Sequence, residues 1–178
     1  MSDAVRTVVV LVGSLRRESV NRRLAAHLAA EAPEGVDVQI ADGLGLLPFY
    51  NEDIDVDGRR GDAVEALRAQ VGAADAVLLV TPEYNGGLPA VLKNAIDWLS
   101  RPYGAGALSG RPVGVVGAAL GRFAGTWARE DARKAAGIAG AEVIEAVELG
   151  LRSAEFDEAL IEADAVFEAL LGELVAAG

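Results

Sequence analysis

At 178 residues the chain is expected to form one domain, long enough to bury about two-thirds of the surface its unfolded form exposes. Apolar residues make up 52% and run along the whole length, which excludes a disordered or linker-rich protein, while a net charge of -11 and a pI near 4.5 oppose approach to nucleic acid or an anionic membrane. With no cysteine and a single histidine, disulfides, thiolate nucleophiles and multi-histidine metal sets are out of reach, so chemistry must come from a cofactor or from carboxylates.

The first seven residues lead into an apolar run too short for a secretory signal or a membrane span, so a cytoplasmic location is expected. Residues 7–12 (TVVVLV) are β-branched and apolar without alternation, the pattern of a strand buried on both faces of a parallel sheet. From Asn21 the spacing turns helical, with Leu24 and Leu28 four apart, until Pro33 and Gly35 end it. Strands follow at 36–40, 76–81, 112–117 and 142–148, and helices at 62–73, 89–100 and 123–139. A last helix at 157–176 carries Leu160, Ala163, Phe167, Leu170 and Leu174 on one stripe.

Strict alternation implies a flavodoxin-like α/β fold: a doubly wound five-stranded parallel sheet in the order 2-1-3-4-5, one domain over residues 1–178. Ligands of such sheets bind beyond the carboxyl ends of the strands at the switch point between strands one and three, which directs attention to loops 13–21 and 82–89. Residues 41–60 (including LPFYNEDID) exceed the usual connection length and read either as a functional lid or as a mobile segment.

The first loop, Gly13 to Asn21, offers a glycine, two serines and an arginine just before a helix, where unpaired N–H groups and partial positive charge attract phosphate. It lacks the second glycine and the lysine of the nucleoside triphosphate loop, and it lacks the G-x-G-x-x-G dinucleotide fingerprint. Capping of the helix by Ser19 or Asn21 is the competing explanation. The second loop, 80–89 (VTPEYNGGLP), turns sharply at Asn-Gly-Gly before a proline suited to a first helical turn, and an aromatic and an amide beside close backbone suit a planar heterocycle.

Together GSLRRESVNRRLA, LPFYNEDID and TPEYNGGLPAVLKNAIDWLSRP resemble the NADPH-dependent FMN reductase family, which includes bacterial quinone, chromate and azo-dye reductases. The resemblance runs from Val8 to about Pro102 and thins beyond. It implies that Ser14, Arg16, Ser19, Val20 and Asn21 surround the FMN phosphate, and that Pro82, Glu83, Tyr84, Asn85 and Gly86 border the isoalloxazine ring. It implies hydride transfer from NADPH or NADH to FMN and on to a small-molecule acceptor such as a quinone or flavin, with no dedicated protein acid or base. It also implies a homodimer or higher homo-oligomer, with Phe49, Tyr50 and Asn51 near a subunit boundary.

The chain departs from the family in two places. Gly117-Ala118-Ala119 stands where a serine is common, and of the residues associated with tetramers on the next helix only Arg133 remains. Trp98 reads equally as an interface anchor or as a core residue, and Trp127 as cover for the acceptor site or as helix packing. Asp53, Asp55 and Asp57 lack the glycine and distal glutamate of a calcium loop and read as a solvated, mobile acidic segment, while His27 reads as a boundary residue with no role. Glu155, Asp157, Glu158, Glu162, Asp164 and Glu168 read as the outer face of the last helix. A non-enzymatic electron carrier of the flavodoxin kind is the main rival reading, since acidic surfaces steer such carriers, and a phosphate-binding module of the same fold is a third.

Overall fold

A computed structural model describes residues 5–177. The first four residues and, in the last helix, the side chains of 158–163 and 165–167 are outside the described residues, and with them Leu160, Ala163 and Phe167 of the expected stripe and Glu158 and Glu162 of its acidic face.

The elements are β1 (Arg6–Val12), α1 (Val20–Ala30), β2 (Val36–Ile40), α2 (Asp62–Ala73), β3 (Ala76–Val80), α3 (Ala90–Leu99), β4 (Pro112–Ala119), α4 (Thr126–Ile138), β5 (Glu142–Arg152) and α5 (Phe156–Ala176). All strand pairs are parallel and the order is β2-β1-β3-β4-β5, the expected flavodoxin-like sheet. In the register, Val8 lies opposite Ala76 and Val12 opposite Val80, so β1 and β3 end level.

The unalternating strands are explained by two cores, one on each face. Val9, Leu11, Val77, Leu79, Val113 and Val115 pack with Val64, Leu67 and Val71 of α2 and with Leu92, Ile96 and Leu99 of α3. Val8, Val10, Leu78, Val80 and Val116 face the other way, onto Leu24 and Leu28 of α1 and Leu170, Leu171 and Leu174 of α5. His27 ties the two helices on that face together, its Nε2 lying 2.7 Å from Asp164 Oδ1.

The largest boundary shifts from the sequence reading are at the start of α4 and the end of β5. Helix α4 begins at Thr126 because Ala124 and Gly125 before it adopt left-handed backbone, with φ of 50° and 74°. Strand β5 continues to Arg152, and its pairing with β4 slips between Val113, opposite Val143, and Val115, opposite Glu148. At that irregularity Arg133 donates to the Val115 carbonyl oxygen at 3.3 Å, and Arg129 pairs with Glu148 at 2.9 Å. Arg133 is therefore engaged within its own chain.

The long connection at 41–60 is tied down. Pro48 O accepts from Asn94 Nδ2 at 3.0 Å and from Trp98 Nε1 at 2.7 Å, and Tyr50 N donates to Asn94 Oδ1 at 2.8 Å. Trp98 is fully buried and meets Tyr50 edge-on at 4.9 Å, so it is a core residue. Asp55 corrects the reading of a solvated segment: its side chain is 10% exposed, paired with Arg60 at 2.5 Å and Arg68 at 3.0 Å. Among the described residues no acidic or histidine cluster is arranged to hold a metal ion.

Candidate cofactor site

The loops leaving β1, β3 and β4 converge beyond the carboxyl edge of the sheet, at the crevice that the strand order creates. Gly13 N donates to Val80 O at 2.9 Å, drawing the first loop against the end of β3. A Cβ at Gly13 would lie 2.9 Å from Pro89 Cγ and 3.2 Å from Pro82 Cδ, so the two loops approach this closely only around a glycine. Gly117 does the same for β4, since a Cβ there would come within 2.0 Å of the Thr81 carbonyl oxygen.

The result is a cavity of about 580 Å³, within the range of small-molecule sites. Ser14, Arg16, Ser19, Val20, Asn21, Pro82, Glu83 and Tyr84 line it together with Ala118, Ala119, Leu120, Gly121 and Ser153. Eight of the ten residues selected from the sequence thus meet in one space. Asn85 and Gly86 do not line it. They form a turn with φ of 53° and 72°, closed by reciprocal backbone hydrogen bonds between Tyr84 and Gly87 at 3.2 and 3.1 Å, and so aim Tyr84 rather than touch the cavity.

Within the first loop the residues divide by task. Ser19 caps α1, its Oγ accepting from Asn21 N at 3.2 Å, so the capping explanation holds for this serine while it also borders the cavity. Asn21 is buried, and its side chain is committed to β4, donating to Ala118 O and accepting from Ala118 N, both at 2.8 Å. It holds the helix start against the sheet, and both ends of its amide are thereby occupied. Arg16 is exposed, and among the described residues no carboxylate pairs with it. On the far side, the Glu83 carboxylate accepts from Ala128 N at 3.2 Å and fastens the second loop to the start of α4.

These residues fit FMN. One end has an arginine, two serines and a helix N-terminus for a phosphate, and the other has Pro82, Tyr84 and Leu120 as walls for a flat ring. Arg16 and Tyr84 also border a second, more apolar cavity of about 440 Å³, lined by Leu15, Leu44, Leu47, Phe49 and Val91. Leu120, Gly121 and Ser153 were missed from the sequence; the first two follow β4 and could have been found from the switch-point rule, whereas Ser153 carries no local signal.

The sequence model described as NADPH-dependent FMN reductase matches residues 6–156. The chain belongs to that family. It is 44% identical over 114 residues to a 2-hydroxy-1,4-benzoquinone reductase of a Burkholderia species, covering 64% of this chain and 61% of that protein. It is 45% identical over 130 residues to a quinone reductase of Pseudomonas putida, covering 73% and 69%. Among solved structures it resembles FerB, a flavoenzyme NAD(P)H:(acceptor) oxidoreductase from Paracoccus denitrificans, with a TM-score of 0.79 and 29% identity over 95% of this chain and 98% of that one. The match to the family thus extends past Pro102 through β4, α4 and β5, where the quoted motifs thin out.

Proposed function

We propose that this FMN reductase family member moves electrons from NADPH or NADH, through bound FMN, to a small-molecule acceptor such as a quinone or a free flavin. The observation that carries the reading is the 580 Å³ cavity that joins Ser14, Arg16 and the start of α1 to Pro82, Tyr84 and Leu120 at the carboxyl edge of the sheet. The names of the similar reductases agree with it. Ser14, Arg16, Ser19 and Val20 hold the phosphate end, Asn21 sets the helix start, Pro82, Glu83 and Tyr84 frame the ring, and Asn85 and Gly86 make the turn that positions Tyr84. The chemistry that FMN supplies when bound is two-electron transfer from a nicotinamide to an acceptor. The protein's contribution is position, charge at the phosphate, and Tyr84, more than half exposed, where a second flat molecule arrives.

The whole chain, 1–178, acts in this reading as one FMN-binding domain. A cytoplasmic location goes with it, since reduced nicotinamide is supplied there, and no described helix is long and apolar enough to cross a membrane. A homodimer goes with it too: Leu46, Phe49, Tyr103 and Ile138 are exposed apolar side chains of the kind that subunits cover. A solution mass showing monomer alone removes that part.

The test is to purify the protein, load it with FMN, and add NADPH or NADH without any other protein. Bleaching of the flavin absorbance followed by turnover with benzoquinone is the expected result. A flavin that binds but stays oxidised until a reductase is supplied identifies the electron carrier instead, for which the -11 charge is the favouring observation.

A further inference from the structure

The first turn of α4 and the loop before it carry an exposed cluster that the FMN cavity does not use. Trp127 and Phe123 are 50% and 47% exposed, with ring centroids 5.4 Å apart at 60°. The Arg122 guanidinium lies 4.5 Å from the Phe123 ring centroid. No carboxylate pairs with Arg122 among the described residues, whereas Arg60, Arg68, Arg129 and Arg133 are each paired. Packing does not explain this group, because half of each ring is in water.

The cluster is fixed to the site. A Cβ at Gly86 would lie 3.6 Å from Trp127 Cε3, so the indole rests on the turn that aims Tyr84. The Glu83 bond to Ala128 N and the acceptance by Asp131 of the Leu88 N–H, at 3.4 Å, bind the same two segments together. Ala124 sits in left-handed backbone that alanine rarely adopts, and this turn separates Phe123 from the helix that carries Trp127.

We propose that Arg122, Phe123 and Trp127 form a subsite for the adenosine-phosphate half of the hydride donor. The inference rests on the function proposed above and adds where the donor's non-reacting half is held. Of the two molecules that must visit the bound flavin, quinone-type acceptors need no charge partner, whereas a nicotinamide dinucleotide always brings an adenine and phosphates. Purines stack on indole and phenyl faces, and a guanidinium answers phosphate with directed hydrogen bonds. On a chain of net charge -11 an arginine over an exposed phenyl ring, with an indole packed against that ring, matches this ligand in shape and sign.

The test uses the FMN-loaded protein and adenosine 2′,5′-bisphosphate, which has the purine and phosphates but no nicotinamide, titrated by calorimetry. Binding to the wild type is expected, with Trp127→Ala and Arg122→Gln each weakening it roughly ten-fold, the worth of one stack or one charged contact. In steady-state assays the same variants raise the KM for NADPH by a similar factor and leave the KM for benzoquinone where it was. Equal bisphosphate affinity in variant and wild type overturns the proposal. So does a Trp127→Ala protein that keeps its NADPH KM but drops from dimer to monomer, which assigns the face to a second copy of the chain. If NADPH is not oxidised at all, the proposed function fails, while the bisphosphate titration still reads the subsite.

Discussion

Asn21 couples the helix that meets the ligand to the strand that forms the floor. Its amide satisfies the N–H and the C=O of Ala118 at once, an arrangement open to no other side chain of its size except with one bond reversed. Asn21→Leu leaves both groups buried without partners, and a loss of about 2–4 kcal/mol is expected, read as a lowered Tm with or without FMN. Asn21→Asp sets a second oxygen against the Ala118 carbonyl and destabilises as well. Arg16 is the opposite case, exposed and without a carboxylate partner among the described residues, so Arg16→Ala is expected to weaken FMN roughly ten- to a hundred-fold while the apo-protein melts unchanged. An FMN affinity that does not move removes Arg16 from the phosphate site. Both residues were legible as loop members; that one serves the fold and the other the ligand was not, because it depends on Ala118, 97 positions away in the chain.

At the scale of elements, the 41–60 connection shows why composition misleads locally. Three aspartates in alternation suggest a solvated strip, yet Asp55 turns inward to Arg60 and Arg68 while Asp57 stays in water. Burial alone would raise the Asp55 pKa, but hydrogen bonds and charge from Arg68 and Arg60 outweigh it and hold the carboxyl below the usual 3.8. Asp75 is lowered likewise, chiefly by the Thr7 N–H it accepts at 2.8 Å, against burial and with help from Arg6. Because both folded-state values lie below the unfolded ones, the stability they contribute is complete above about pH 4 and is lost as pH falls through the folded values. Circular dichroism should therefore show the wild type losing stability steeply as pH falls below about 4, and Asp55→Asn should flatten that limb while lowering stability at pH 7. The same connection is held by Asn94, so Asn94→Ala should speed hydrogen exchange at the Tyr50 amide; unchanged exchange means the loop is fixed by other contacts.

For the whole molecule, the layout was readable because each interior strand feeds a core on both faces and therefore shows as an unbroken apolar run, as in 7–12 and 76–80. The far end of the edge strand β5, Leu149 to Arg152, was not readable, because there a glycine and an exposed arginine break up the two leucines and leave no such run. The cavity was half readable for a related reason. Motifs mark the loops after β1 and β3, while Leu120 and Ser153 belong to it only through the path of the backbone.

That edge has a consequence for how the protein behaves in bulk. Strand β5 presents an open row of backbone groups to any other strand that approaches, and its glutamates make such an approach repulsive at neutral pH. Near the pI of about 4.5 the charge that keeps molecules apart fades. Light scattering should rise sharply as a solution is titrated toward that point, and a Glu142→Gln, Glu145→Gln double variant should turn cloudy at higher pH than the wild type. The acidic strip on β5 would then be a solubility guard, which makes this strand the place where storage and crystallisation conditions are decided.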